Sequence, residues 1–241
     1  VILSDQYIAD GAATIEPFDL SKVEKVTVAA GDEEALAYRM DPAHARGDVM
    51  HGETKASDLA ADEFKRYRIT ETGISPRLLP GNPQAFVNAD TDSHCEYGFI
   101  NEAADVHTAQ VDKRMRKHYK MLAEDVIDAE QIGTAGSDIV LVAWGSLHGP
   151  LTEAVQKLKE QGIEVSALVY GDLWPFPTEK IEAEAKNAGH IINVEQNFSG
   201  QLGHLIRRQT GIAMTDSILK YDGRALSPDE IAGRVQEIVK G

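Results

Sequence analysis

The chain has 241 residues, of which 42% are hydrophobic, so it is long and apolar enough for one large globular domain or two small ones. Its 39 acidic residues outnumber its 24 basic ones, and the formal net charge of -15 excludes nucleic-acid binding because phosphate backbones would be repelled. No apolar stretch approaches the roughly 20 residues that span a bilayer, which predicts a cytoplasmic protein without a membrane partner.

Cys95 is the only cysteine of the sequence. A single thiol cannot form an internal disulfide, and it cannot hold an iron–sulfur cluster, which usually needs about four thiolates. If the protein takes part in electron transfer, we expect the electrons to pass through another chain.

The first ten residues, VILSDQYIAD, begin with an apolar run. Such a run predicts a buried parallel strand from Val1 to about Ile8, followed by a short helical or turn segment near 9–13. Because no initiator methionine or helix-start signal precedes the run, we expect the chain to be the C-terminal part of a larger protein.

The region that follows has little sustained periodicity. Residues 16–62 predict irregular surface structure, and the Gly- and Pro-rich stretch at 64–81 predicts a structured loop. Residues 105–125 predict an amphipathic helix. The residues spaced for its buried face are Val111, Met115, His118 and Leu122.

From residue 136 onward, apolar runs alternate with amphipathic helices. Strands are predicted at 139–144, 165–170 and 191–194, and helices at 150–161, 178–187, 201–209 and from 228 onward. Strands that are apolar on both faces and alternate with helices predict an α/β fold: a parallel sheet with helices on both faces.

Capping signals mark the ends of these helices. Thr178 is a predicted N-cap, and Gly162 is a predicted C-terminal stop. The last helix has the clearest start, because Ser227 is followed by proline at the first helical position and by Glu230 at the capping-box position. Its predicted buried stripe consists of Ile231, Val235 and Ile238.

The turn WGSLHG at 144–149 lies between a predicted strand and a predicted helix. Backbone amides at such a helix start can receive an anion, which leaves open a nucleotide-binding α/β domain. Tight strand-to-helix turns need glycine in any case, and neither a Walker lysine nor a full GxGxxG is present.

The segment GDLWPFP at 171–177 places two aromatic side chains on a backbone stiffened by proline. Trp174 and Phe176 are therefore candidate packing anchors between domains or subunits, with direct ligand contact as the alternative. Asp172 follows the strand end, where ligands of open α/β sheets bind.

Glu195, Gln196 and Asn197 also fall at the carboxyl end of a predicted strand, just before a helix. Such side chains either cap the helix and fix loops or point at a neighbour. We favour loop fixing or a subunit interface for all three.

The stretch RYRITETGISPR at 66–77 concentrates arginines in an acidic chain. Arg68 and Arg77, with Arg66, suit the carboxylates of a dicarboxylic oxoacid, while ion pairing with nearby acids such as Glu71 is the alternative. His94, in SHCEYG at 93–98, is a candidate for the entrance of an active site or, alternatively, a hydrogen-bonded structural histidine.

GDLWPFP, VEQNFSGQL at 194–202 and SILKYDGR at 217–224 together resemble the α subunit of the 2-oxoacid:ferredoxin oxidoreductases, above all the 2-oxoglutarate type. SDQYIAD, RYRITETGISPR and HCEYG with the following VDKRMRK match the same family in order. The family often has EHDEYG where this chain has SHCEYG, so Ser93 and Cys95 stand where acids are usual.

The resemblance implies a thiamine-diphosphate enzyme that oxidatively decarboxylates a 2-oxoacid, passes electrons through iron–sulfur clusters to ferredoxin and delivers the acyl group to coenzyme A. It implies that residues 1–125 form the end of a pyrimidine-binding domain with a long irregular linker and a helix. Residues 126–241 would form a transketolase C-terminal-like domain.

The resemblance also implies where the chemistry lies. Thiamine diphosphate, Mg²⁺ and the catalytic residues are expected on the β subunit or upstream of Val1, the iron–sulfur cluster on a partner chain, and no metal on this chain. The expected partners are the β subunit, ferredoxin through the complex, the 2-oxoacid and coenzyme A. This chain would serve mainly as scaffold and subunit interface; the alternatives are a noncatalytic interaction module and the nucleotide-binding domain.

Overall fold

The computed structural model of the chain describes residues 1–3, 9–12, 14–22, 65–75 and 87–240. The fold divides into two compact units, Val1–Ile15 with Glu124–Gly241, and Glu16–Ala123. We call the first the sheet unit and the second the helix unit. The predicted division at 125/126 into a pyrimidine-binding end and a transketolase-like domain stays a prediction.

The described helix unit contains one long helix and one 3-10 turn: α1 (Ala104–Glu124) and Leu20–Lys22. The described part of the sheet unit has the strands β1 (Glu130–Gly133), β2 (Ile139–Trp144), β3 (Ser166–Tyr170), β4 (His190–Glu195) and β5 (Asp216–Leu219). Its helices include α2 (His148–Glu160), α3 (Glu179–Glu184), α4 (Gln201–Thr210) and α5 (Pro228–Lys240). The 3-10 turn Gly145–Leu147 joins β2 to α2.

The strands form one sheet in the order β1-β3-β2-β4-β5. All neighbouring pairs are parallel except β1 and β3, which pair antiparallel. The α/β class is confirmed, and the expectation of an all-parallel sheet is corrected at one edge. Neither β1 nor β5 was predicted, because each edge strand has only four residues and lacks a continuous buried run.

The core consists of two apolar layers, one on each face of the sheet. Alternate residues of β2 serve the two layers: Leu141 lies in one and Val142 in the other. Residues of α2 and α5 fill the first layer, and residues of α3 and α4 fill the second. The prediction of helices on both faces is therefore confirmed.

The helix starts test the capping predictions. At α5, the backbone N–H of Ser227 donates to Glu230 at 2.8 Å and the N–H of Glu230 donates to the Ser227 hydroxyl at 3.2 Å, which confirms the capping box. Thr178 occupies the predicted N-cap position of α3, but its side chain makes no capping hydrogen bond. The carboxylate of Asp128 accepts the N–H of Lys180 at 3.0 Å instead.

Helix α1 exists where it was predicted, but its buried face was predicted wrongly. Met115 is 48% exposed and Leu122 is 43% exposed, whereas the two buried residues are Gln110 and Lys113. Both Gln110 and Lys113 donate to the backbone carbonyl of Tyr67, and Lys113 also donates to the hydroxyl of Ser75. These hydrogen bonds, and not an apolar stripe, set the orientation of the helix.

The start of the chain also differs from the prediction. Val1–Leu3 are exposed and outside any strand, which contradicts a buried strand there, and the remaining residues of that predicted strand lie outside the described part. Within the described ranges, no helix combines the length and apolar character needed to cross a membrane.

Candidate functional sites

The topology of the sheet creates a switch point between β2 and β4. These strands are neighbours, yet the helix after β2 lies on one face of the sheet and the helix after β4 lies on the other. The crevice at the carboxyl ends of two such strands is the usual ligand site of open α/β sheets. In this protein, Glu195 ends β4 at that place.

Glu195 is fully buried and its carboxylate is surrounded by donors. One oxygen, Oε2, accepts the indole N–H of Trp144 at 3.0 Å and the amide of Asn197 at 2.7 Å. The other, Oε1, accepts the amide of Asn193 at 2.7 Å and the backbone N–H of Leu202 at 2.8 Å, with the N–H of Gly203 at 3.5 Å. The carboxylate thus sits at the positive start of α4 with its acceptor capacity filled.

The next two residues bind loops. Gln196 donates to the hydroxyl of Ser146 at 3.2 Å and accepts the backbone N–H of Leu226 at 2.8 Å, so it joins the turns after β2 and β5. Asn197 also accepts the N–H of Gly200 at 2.7 Å. The polar side chains at the switch point are therefore hydrogen-bonded to one another and to neighbouring loops, and loop fixing by all three residues remains our proposal.

The structure separates the two aromatic residues of GDLWPFP. Phe176 is buried and packs on Tyr170 with ring centroids 4.9 Å apart, whereas Trp174, which precedes a cis proline, is 54% exposed. Asp172 accepts the backbone N–H of Ile127 at 2.9 Å and so ties down the segment that enters β1. Phe176 is a core residue here, and Trp174 alone faces outward.

Exposed aromatic side chains follow three of the parallel strands. Trp174 follows β3, Phe198 follows β4 and Tyr221 follows β5, so all three belong to the carboxyl edge of the sheet. Phe198 and Tyr221 pack edge to face with centroids 5.0 Å apart. We call the three residues the aromatic rim. Sequence reasoning missed the last two because no periodicity distinguishes an exposed loop aromatic from a buried one.

In the helix unit, His94 stacks on Tyr67 with ring centroids 3.8 Å apart. Its Nδ1 atom is buried and has no hydrogen-bond partner among the described residues. His94 and Arg66 line a cavity of about 240 Å³. Arg68, which the sequence predicted as a candidate beside His94, is not among the described residues that line it. Arg77 lies outside the described residues.

Lys113 forms the floor of this cavity. Its amine donates to the carbonyl of Tyr67 at 2.7 Å and to the hydroxyl of Ser75 at 3.0 Å. Burial, assisted by the positive charges of Lys117, Arg114 and Arg66, lowers the pKa of Lys113 to about 8. A basic residue at the middle of a helix is a weak sequence signal, which is why the sequence did not single it out.

A second cavity, of about 510 Å³, lies where the loop before α1 meets the first turn of that helix. Ser93 and His107 face each other there, with the hydroxyl 2.8 Å from Nδ1 of the ring. The pair is exposed, and Asp92 and Glu102 also line the cavity, which makes it acidic where the first cavity is basic.

Known proteins show what these two units resemble. The family described as pyruvate:ferredoxin oxidoreductase core domain II matches residues 137–231. The 2-oxoacid:ferredoxin oxidoreductase subunit alpha of Saccharolobus solfataricus is 34% identical over 182 residues, covering 74% of this chain and 28% of the relative. The 2-oxoacid:ferredoxin oxidoreductase 2, subunit alpha, of Aeropyrum pernix is 33% identical, covering 77% of this chain and 29% of the relative.

A solved structure gives the same result. A 2-oxoglutarate:ferredoxin oxidoreductase from Magnetococcus marinus, with 2-oxoglutarate, coenzyme A and succinyl-CoA bound, matches with a TM-score of 0.66 and 33% identity. The match covers 72% of this chain and 30% of that one. The chain spans less than a third of the length of these relatives, and it belongs to the family of 2-oxoacid:ferredoxin oxidoreductase α subunits.

Proposed function

We propose that the chain works as part of the α subunit of a thiamine-diphosphate-dependent oxidoreductase, which converts a 2-oxoacid to its acyl-CoA and passes the electrons to ferredoxin. The observation that carries this proposal is the match to the Saccharolobus solfataricus α subunit, which covers 74% of the chain. That share exceeds the sheet unit, so the similarity continues into the helix unit.

Within this enzyme, the sheet unit acts as scaffold and subunit interface rather than as the reacting centre. Two observations support this role. The switch-point crevice is closed by Glu195 and Gln196 through hydrogen bonds to other parts of the sheet unit. The aromatic rim, by contrast, exposes rigid side chains of the kind that anchor protein interfaces, and we assign it to the contact with the β subunit.

The cofactors are then held mostly elsewhere. Thiamine diphosphate supplies the electron sink for decarboxylation, and its Mg²⁺ and catalytic residues belong to the partner chain or to a further part of the α subunit. A cluster for electron transfer belongs to a partner because this chain has one cysteine. We place the enzyme in the cytoplasm.

We further propose that the preferred substrate is 2-oxoglutarate. The support is the arginine-rich stretch at 66–77, which includes Arg68, together with the similarity to an enzyme that is itself a 2-oxoglutarate:ferredoxin oxidoreductase. A second carboxylate distinguishes this acid from pyruvate, and arginine is the residue best suited to bind it. Equal turnover of pyruvate and 2-oxoglutarate by the assembled enzyme would contradict this preference.

The decisive experiment is reconstitution. The chain is combined with the β subunit, with and without the remaining α-subunit sequence, and the reduction of a viologen dye is followed with 2-oxoglutarate and coenzyme A. We expect turnover only when all parts are present. A stable complex without turnover in any combination would instead favour a noncatalytic interaction module.

The role of the aromatic rim in binding the β subunit can be tested with one variant in the rim and one control variant outside it. We expect Trp174→Ala to weaken binding of the β subunit at least tenfold, since exposed tryptophans dominate interface energies. Tyr119→Ala removes an even more exposed aromatic residue from α1, outside the rim, and is expected to leave that affinity within twofold. Equal affinities for the two variants would remove the rim from the interface.

A further inference from the structure

We propose that the cavity of the helix unit lined by Arg66, His94, Lys113, Arg114 and Lys117 is a binding site for a phosphate group. We call it the basic cavity. It lies between α1, the segment 65–75 and the loop before α1. The proposal concerns binding by this chain alone, so it does not depend on the oxidoreductase assignment.

The charge of the lining is the first argument. Four of the lining residues, Arg66, Lys113, Arg114 and Lys117, are cationic, and none of the described lining residues is acidic. This concentration stands out in a chain whose acidic residues outnumber its basic ones by 39 to 24. Basic side chains distributed for solubility alone would be interspersed with the more numerous acids.

The energetic state of Lys113 is the second argument. Its relative exposure is only 4%, and burial together with the positive charges of Lys117, Arg114 and Arg66 outweighs the one nearby carboxylate, Glu96, and lowers its pKa to about 8. Groups of like charge that are held together around a buried amine repel one another. A bound anion reverses the sign of that interaction, so the cavity is preorganised for negative charge.

The neutral donors are the third argument. Gln110 lines the cavity and donates to the same Tyr67 carbonyl as Lys113 does. Ser75 also lines the cavity; its hydroxyl accepts from Lys113 and donates to the carbonyl of Arg68. His94 adds a ring whose Nδ1 is buried without a partner among the described residues. A ligand oxygen that enters the cavity therefore meets the cationic groups and the second N–H of the Gln110 amide.

A phosphate group fits this set of donors better than a single carboxylate does. Near neutral pH a phosphate monoester carries a charge of about -1.5 to -2 and three strong acceptor oxygens. Guanidinium groups bind it in a fork, and ammonium groups bind it as point charges. The phosphate can belong to free inorganic phosphate or to a larger molecule such as coenzyme A.

The test is calorimetric titration of the full chain at low ionic strength, because salt screens exposed charges. Pyrophosphate, coenzyme A and 2-oxoglutarate are titrated in separate arms. We expect saturable binding of pyrophosphate, with 2-oxoglutarate at least tenfold weaker. Tighter binding of coenzyme A than of pyrophosphate would identify a phosphorylated coenzyme as the source, and weaker binding would identify free phosphate. Absence of pyrophosphate binding, or equal binding of 2-oxoglutarate, would overturn the proposal.

Variants on one helix provide the control. Arg114→Ala and Lys117→Ala should each weaken pyrophosphate binding at least fivefold, whereas Arg116→Ala removes the same charge from α1 outside the lining and should change it less than twofold. Equal losses in all three variants would show a diffuse charge effect and would also overturn the proposal.

The dependence of pyrophosphate affinity on pH separates a binding site from a cluster with only a structural role. Affinity should fall as the pH rises through about 8, because the amine of Lys113 then loses the proton that attracts the anion. The charged and titratable groups near this amine are Lys117 and Arg114 on α1, Arg66 and Tyr67 on the segment 65–75, and His94 and Glu96 on the loop. In Lys113→Gln this fall should disappear, and an unchanged fall would contradict the role of Lys113.

Discussion

The sheet unit and the helix unit each bury a charged side chain, and their surroundings are opposite. In the sheet unit, Glu195 receives hydrogen bonds from Trp144, two asparagine amides and two backbone N–H groups at the start of α4. In the helix unit, Lys113 binds two neutral oxygens and lies among positive charges. A buried charge that is fully paired belongs to the fold, whereas one among like charges indicates a site that is completed by a ligand.

Removing the buried carboxylate should have the largest effect. Glu195→Ala leaves several buried donors without an acceptor, each of which costs about 1–3 kcal/mol, so we expect a loss of about 3–5 kcal/mol in the unfolding free energy of the sheet unit. Both tryptophans of the chain, Trp144 and Trp174, lie in this unit. Their fluorescence during urea unfolding therefore reports on it alone.

The control is an exposed glutamate of the same unit. Glu237 lies on α5 with 76% of its side chain exposed, and Glu237→Ala should change stability by no more than about 0.5 kcal/mol. If Glu195→Ala were as mild, the buried carboxylate would not organise the switch point. Glu195→Gln, which retains one acceptor oxygen, should fall between the two.

A pair of helical glycines tests the packing around this carboxylate. A Cβ at Gly203 would lie 3.0 Å from both the Asn193 amide and Met214, so Gly203→Ala should cost about 1–3 kcal/mol. A Cβ at Gly233 on α5 meets nothing within 4 Å, and Gly233→Ala should stabilise by about 0.5–1 kcal/mol. Changes of the same sign in both variants would show that helix propensity, and not contact with Asn193, determines the outcome.

Acid should weaken the sheet unit at a second, exposed carboxylate. The hydrogen bond from Lys220, followed by those from Ser227, lowers the pKa of Glu230 to about 2, from an ordinary value of 4.5. A carboxylate with a depressed pKa contributes stability that is complete above the unfolded pKa and is lost as the pH falls from about 4.5 to 2. We expect Glu230→Gln to flatten the stability profile in this window, and an unchanged slope would contradict the assignment.

Base should have the opposite effect, in the helix unit. Because the folded pKa of Lys113 is about 8 and the ordinary value is 10.5, the unfolded chain holds more protons between these values. Stability of the helix unit should therefore rise as the pH increases from 8 to 10.5. Hydrogen exchange of α1 measures this change, and the slope should vanish in Lys113→Gln.

The sequence predicted what depends on local patterns. The three central strands and the buried stripe of α5, which includes Ile231 and Val235, follow from runs of consecutive or periodic apolar residues, and the capping box of α5 follows from residues three apart. In each case the decisive contacts lie within one element or against a fully apolar layer.

The features that the sequence did not predict depend on contacts between residues that are far apart in the chain. Trp144 meets Glu195 across 51 residues, and Lys113 meets Tyr67 across 46. The apolar spacing in α1 indicated Met115 as buried, but tertiary hydrogen bonds of polar residues set that face instead. Likewise, Thr178 occupies the N-cap position of α3, but its side chain does not accept a hydrogen bond from the helix start. The carboxylate of Asp128, 52 residues before Lys180, accepts the backbone N–H of Lys180 instead.

The most direct measurement of the contrast between the two units is hydrogen exchange of the full chain with and without pyrophosphate. We predict slower exchange in 65–75 and in Ala104–Glu124, where the basic cavity lies, and no change in the loops 196–200 and 220–227 of the closed sheet edge. Protection that appears at the sheet edge and not around Lys113 would contradict the account, because it would place the ligand site at the switch point after all.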